Sequence, residues 1–297
     1  MSNSPIVVIS GCTASGKSEM ALNLAKKING VIINADSRQL YKEISIGTAK
    51  PIPDYTEKDI WYIKGIKHYL YSHVSVKEIY NLYRYQKDVF HLLKQLPSGT
   101  IPILVGGTGL YIDSVVFNYE LKKEEILKKE EKNYEQLSIK EIQELVPTTL
   151  LEKLNNSERN NRERLIRIIE KGLPSINKGK ILDHIYFFLD LEKDLLEERI
   201  KKRVNTMFSE GLLEENIRIR KSGLNRFPPL RTIGYQEFDE YFENKISLEE
   251  VKEKIVTHTK QYAKRQRTWF RRNKEVQYFS SYKQLEKETK RYLSSLK

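Results

Sequence analysis

The chain has 297 residues, 39% hydrophobic and 31% charged, which suits a globular protein with a large core and excludes a disordered or fibrous one. A formal charge of +12 favours a polyanionic partner, although a lysine-rich composition alone gives the same excess, so the placement of the cations has to decide. The single cysteine excludes an intrachain disulfide and a cysteine-based metal site; no signal-peptide pattern or membrane-length apolar stretch is present, and a cytoplasmic location is expected.

In chain order, residues 5–10 are a short β-branched run that predicts a buried strand. Gly11, Cys12, Thr13, Ala14, Ser15, Gly16, Lys17 and Ser18 then meet every fixed position of the phosphate-binding loop pattern, and Ala21, Leu24, Ala25 and Ile28 follow at helical spacing. Each part answers a need of a bound polyphosphate. The glycines let amides turn inward, the helix N-terminus adds its positive end, Lys17 brings a charge and Ser18 is a candidate magnesium ligand. Residues 31–34 predict a second strand, ending in the polar turn Ala35, Asp36, Ser37, Arg38, Gln39. Residues 100–105 predict a third, followed by the turn Gly106, Gly107, Thr108, Gly109.

Between residues 116 and 170 the texture becomes Lys/Glu-rich and helical, with helices expected over 120–132, 138–145, 147–154 and 162–171. Residues 185–189 predict a fourth strand, and Leu196, Ile200, Val204, Met207 and Phe208 keep helical period after it. A long helix is expected over 247–272. The fold class is therefore α/β, a doubly wound parallel sheet of the phosphate-loop type with a small helical insertion and a C-terminal basic helix. Residues 1–115 and 171–297 form the core and 116–170 the insertion. The last helix carries Lys260, Lys264, Arg265, Arg267, Arg271 and Arg272, with Lys274 beyond it and Tyr262, Trp269 and Phe270 interleaved. Cations with aromatics suit a nucleic-acid groove, and the same aromatics equally suit core packing.

A phosphate loop most often serves phosphoryl transfer, so a nucleotide-binding or ATP-binding protein, such as a small-molecule kinase, is the generic reading. The third strand, however, ends in Val105, Gly106 and Gly107 with no acidic residue, and Asp190 after the fourth strand reads as a helix-start residue. An RNA-binding protein that only senses nucleotide is a third reading.

Taken together, GCTASGKS, NADSRQLYKEISIGTAKP, PILVGGTGLY, IGYQE and YAKRQRTWFRR resemble the tRNA dimethylallyltransferases of the bacterial type, over nearly the whole chain. The resemblance implies transfer of a dimethylallyl group from dimethylallyl diphosphate to the exocyclic amino group of the adenosine 3′ to the anticodon. It implies Asp36 as general base, and the loop with Lys17, Thr13 and magnesium as the holder of the diphosphate leaving group. Ser37, Arg38, Gln39 and Thr108 are implied near the extruded adenosine. Glu163, Arg164, Leu165, Ile166 and Arg167 are implied on the tRNA anticodon stem-loop, and Arg265 and Arg267 of the basic helix are the cations expected to join them on RNA. Arg231 is implied as a further diphosphate contact, and a monomer is expected.

The sequence also departs from the family pattern. Cys12 stands where the family has proline, which keeps the backbone cradle but adds an oxidisable thiol. The block from His68 to Val89 keeps His68, Glu78, Tyr80 and Asp88 but lacks the acidic positions near Ser72 and Ser75.

Overall fold

The computed structural model describes residues 4–121, 134–172 and 177–296. Eight strands form one sheet: β1 (Ile6–Gly11), β2 (Gly30–Asn34), β3 (Tyr55–Glu57), β4 (Ile60–Ile63), β5 (Ile66–Tyr69), β6 (Ile101–Gly106), β7 (His184–Leu189) and β8 (Val276–Phe279). Their spatial order is β3-β4-β5-β2-β6-β1-β7-β8. The strands from β5 to β8 pair in parallel, and β3 and β4 add an antiparallel edge. The four sequence-predicted strands are the buried centre, where both faces are covered and the apolar run is continuous. The other four escape sequence reading because they are short and half exposed, β3 along its whole length.

Helices α1 (Lys17–Lys27), α2 (Leu82–Gln95) and α3 (Gly109–Val116) belong to the first half of the sheet unit. Val7, Ile9, Ile103, Val105, Ile185 and Phe187 pack on one face with Leu24 of α1. On the other face Tyr186 and Phe188 meet the Phe270 ring at centroid distances of 6.0 and 4.9 Å. Each such fully buried side chain contributes about 1.5–3 kcal/mol through removal from water.

Residues Tyr119–Gly179 form a second compact unit. It begins later than residue 116 because α3 runs to Val116, whose carbonyl accepts from the Leu182 amide. It ends later than 170 because Lys178 pairs back with Tyr119. Its helices are α4 (Ile139–Glu144), α5 (Thr148–Leu151), α6 (Asn156–Arg159) and α7 (Arg162–Lys171), around Ile142, Val146, Leu154, Leu165 and Ile168. Of the helix expected over 120–132, residues 122–132 lie outside the described residues.

The sheet unit continues with α8 (Lys193–Ser209), α9 (Leu212–Lys221), α10 (Asp239–Phe242), α11 (Leu248–Phe270) and α12 (Tyr282–Ser295). Ser247 and Glu250 form a capping box that starts α11. Val204 and Met207 of α8, Leu212 of α9, Phe238, and Val251 and Ile255 of α11 share a further core. That core fixes α8 and α11 beside the carboxyl end of the sheet. Among the described residues no helix is long and apolar enough to cross a membrane.

Candidate active site

Register decides where the site lies. Ser10 stands opposite Gly106, Gly11 opposite Leu189 and Asn34 opposite Val105, so the turns after β1, β2, β6 and β7 emerge at one end of the sheet. Ligands of open parallel sheets bind at that end. The phosphate loop is shaped by Ala14 and Gly16, both left-handed at φ 61° and 93°, and Gly16 caps α1. The first amides of α1 have no partner within the helix, an arrangement suited to receiving an anion.

Lys17 folds over the loop, its Nζ donating to the Cys12 carbonyl at 3.2 Å. Burial pushes its pKa down to about 8, with Asp36 opposing the shift. Cys12 is buried, its Sγ donates to the Ala263 carbonyl at 3.4 Å, and burial pushes the thiol up. At 2% exposure the thiol is shielded from solvent, an environment that opposes oxidation.

Two arginines that sequence reading missed complete this cradle. Arg199 Nη1 donates to the Ser15 carbonyl at 2.7 Å, and Arg203 Nη1 donates to Thr13 Oγ1 at 3.2 Å. They stand four residues apart, on one side of α8. The available signal was that spacing, offset from the apolar positions Ile200 and Val204. Gln266 of α11 was missed as well. Its Oε1 accepts from the Thr13 amide at 2.9 Å and its Nε2 donates to the Gly107 carbonyl at 3.0 Å, tying the phosphate loop to the second glycine turn.

That second turn needs its glycines for close approach. A Cβ at Gly106 would stand 2.1 Å from the Ala35 carbonyl oxygen, one at Gly107 2.0 Å from Gln266, and one at Gly109 2.2 Å from Trp269. Thr108 Oγ1 accepts from the Ser37 amide at 3.0 Å and donates to Ser37 Oγ at 3.3 Å. Its hydroxyl thus joins the turn to the Asp36 segment, and Thr108 lines neither of the two cavities described next.

One cavity, about 420 Å³, is lined by Thr13, Lys17, Ser18, Arg199, Lys202 and Gln39, among others. A second, about 390 Å³, is lined by Ser37, Arg38, Arg231, Tyr262 and Arg265 with an aliphatic wall of Ile200, Val204 and Ile255. Thr13, Asp36 and Arg203 line both. The Asp36 segment is held by its own backbone: the Asp36 amide donates to Asn34 Oδ1, and Asp36 Oδ1 accepts from the Arg38 amide, both at 2.9 Å. A carboxylate is thereby fixed where a cation-lined cavity meets a mixed polar and apolar one.

Residues 39–273 match the family model described as IPP transferase, and residues 4–67 match the one described as isopentenyl transferase. A tRNA dimethylallyltransferase of Rippkaea orientalis is 36% identical over 93% of this chain and 93% of its own. One of Bacillus mycoides is 34% identical over 92% of this chain and 89% of its own. The chain belongs to the tRNA dimethylallyltransferase family. Among solved structures, a tRNA isopentenylpyrophosphate transferase of Staphylococcus epidermidis superposes with a TM-score of 0.71 at 29% identity, over 99% of this chain and 100% of that one. A eukaryotic dimethylallyltransferase acting on tRNA gives 0.65 at 29% identity, over 90% of this chain and 69% of that one.

Within this prenyltransferase, several sequence expectations change place. Arg231 lines the second cavity, together with Thr13 of the phosphate loop, and not the one around Lys17. Leu165 is 0% exposed in the core of the second unit and the partly buried Ile166 packs against that core, whereas Glu163, Arg164 and Arg167 are exposed. Arg267 donates through Nε to Asp190 at 2.8 Å and through Nη2 to the Leu191 carbonyl, which makes it part of the scaffold. Asp190 is correspondingly an ion-pair partner, and α8 starts only at Lys193 with Glu192 as its cap. Phe270 is buried against β7 and the Trp269 indole donates to Asp113 of α3 at 2.9 Å, so these aromatics fix α11 to β7 and α3. Lys264, Arg265, Arg271, Arg272 and Lys274 remain exposed.

Proposed function

We propose that this enzyme transfers a dimethylallyl group from dimethylallyl diphosphate to the exocyclic amino group of the adenosine 3′ to the anticodon in tRNA. The observation that carries this reading is the junction of two cavities at Asp36, Thr13 and Arg203. The cation-lined cavity takes the diphosphate, and the other takes an adenine extruded from its stack. The carbon–oxygen bond of the donor breaks as the adenine nitrogen attacks its allylic carbon, and diphosphate leaves. Charge grows on that leaving group, where the loop amides, Lys17, Thr13, Arg199 and Arg203 stabilise it more in the transition state than in the ground state. Asp36 accepts the proton that the amino group sheds.

A magnesium ion fits this donor set as a companion of the diphosphate. Ser18 and Glu19 line the cavity with Asp36, and among the described residues no cluster of three ligating side chains offers a resident metal site. Magnesium is commonly held by one or two protein oxygens plus phosphates, and here Ser18 with a lining carboxylate would hold it. When bound it supplies charge neutralisation of the leaving diphosphate.

The test is incubation of the protein with labelled dimethylallyl diphosphate, magnesium and unmodified tRNA. Label is expected in tRNA, and Asp36→Ala is expected to lower kcat by about 10²–10⁴-fold with tRNA binding kept. ATP-dependent phosphorylation of a small molecule without transfer to tRNA would replace this reading with the kinase.

A further inference from the structure

Glu215 is a buried carboxylate outside both cavities, 2% exposed, in the first turns of α9. Its oxygens accept from three successive backbone amides: Ser45 at 3.1 Å, Ile46 at 3.1 Å and Gly47 at 3.2 Å. Tyr235 Oη donates to Glu215 Oε1 at 2.5 Å and itself accepts from the Gly47 amide at 3.1 Å. Successive amides turned toward one point form an anion-binding concavity, and here the anion is supplied by the protein. A buried carboxylate saturated with donors in this way is a rigid anchor, because losing its charge leaves several amides poorly satisfied.

What the anchor holds is the turn from Ser45 to Thr48. The Thr48 carbonyl accepts from Arg203 Nη2 at 3.3 Å and from Gln39 Nε2 at 3.0 Å. Arg203 uses its other terminal nitrogen on Thr13 of the phosphate loop. A continuous chain of hydrogen bonds therefore runs from Glu215 through the 45–48 turn to Arg203, the arginine common to both cavities. Gly47 has no room to move toward Tyr235, since a Cβ there would stand 2.6 Å from the tyrosine ring.

We propose that Glu215 is a positioning residue for prenyl transfer: it fixes the 45–48 turn, and the turn aims the Arg203 guanidinium at the diphosphate. The inference rests on the reading of Arg203 as a diphosphate contact given above. Glu215 lines neither cavity, so its effect on the donor passes through Arg203, while Gly47 and Thr48 of the same turn line the second cavity and carry any effect on tRNA.

A double-mutant cycle with Glu215→Gln and Arg203→Ala tests it, with KM measured separately for dimethylallyl diphosphate and tRNA and with the melting temperature of each variant. Glu215→Gln alone is expected to raise the donor KM about tenfold. In the Arg203→Ala background the same substitution is expected to add little, because the group it positions is gone. Equal fold-changes in donor KM in both backgrounds overturn the inference and leave Glu215 a stability residue. If Glu215→Gln does not fold, Tyr235→Phe runs the same cycle with a smaller expected effect and the same deciding comparison. An Arg203→Ala variant with unchanged donor KM overturns the reading of Arg203 and the inference with it.

Discussion

At the scale of single residues, the phosphate loop stores its binding energy as an unfavourable burial. Lys17 has its pKa pushed from an ordinary 10.5 to about 8, chiefly by burial. An incoming diphosphate restores the charge, so donor affinity is expected to be level below pH 8 and to fall by up to tenfold per pH unit above it. Calorimetric titration with dimethylallyl diphosphate checks this, and Lys17→Arg, which cannot lose its proton, is expected to flatten the slope. The same shift bears on the empty protein. Between pH 8 and 10.5 the unfolded chain holds a proton that the folded chain has lost, so this group's contribution to stability rises with pH across that window. Lys17→Met is therefore expected to raise the melting temperature at pH 7 while abolishing donor binding, with the gain shrinking toward pH 10. An unchanged melting temperature at pH 7 would show that the partly buried ammonium costs nothing.

At the scale of elements, α11 divides its cations between scaffold and surface, a division its sequence conceals. Arg265 is exposed at the second cavity, whereas Arg267 is bonded to Asp190 and Leu191. Arg265→Ala is expected to weaken tRNA binding and reduce the slope of log affinity against log salt by about one. Arg267→Ala is expected to leave that slope unchanged and lower stability by about 1–3 kcal/mol, since it strands a partly buried carboxylate and carbonyl. Salt-dependent binding and denaturant titration separate the two. Two arginines in KRQR look alike in one dimension because only the helix's contact with the segment just after β7 distinguishes them. The phosphate loop and the Asp36 turn were legible for the opposite reason, each being contiguous, with the determining geometry inside a few residues. Arg199, Arg203 and Gln266 act on the phosphate loop, and Glu215 on the 45–48 turn, from well over a hundred residues away, and beyond the four-residue spacing of the two arginines nothing local to α8, α9 or α11 announces it.

At the scale of the whole molecule, the alternation of strand and helix made the central sheet legible, while the extent of the inserted unit depended on a pairing that no periodicity signals. Tyr119 and Lys178 form an isolated antiparallel bridge, and the Glu120 amide donates to the Asn177 carbonyl at 3.0 Å. The chain thus leaves the sheet unit and returns to it at one point. Residues opposed in an antiparallel pair stand about 5 Å apart at Cα, a gap that a two- to five-residue turn spans. The unit also carries its own core of Ile142, Val146, Leu154, Leu165 and Ile168, so its removal takes that apolar surface with it. Replacing residues 120–177 by a short Asn-Gly turn is therefore expected to give a protein that unfolds in one cooperative transition. It should bind dimethylallyl diphosphate within about twofold of the full chain, because every residue lining the phosphate-loop cavity is retained. Its tRNA affinity is expected to drop at least about tenfold, through loss of the exposed Arg164 and Arg167. Filter binding with unmodified tRNA, beside donor calorimetry on the same preparation, reads both quantities. A tRNA affinity that survives the excision would confine the RNA footprint to the cations of α11 and the mouth of the second cavity.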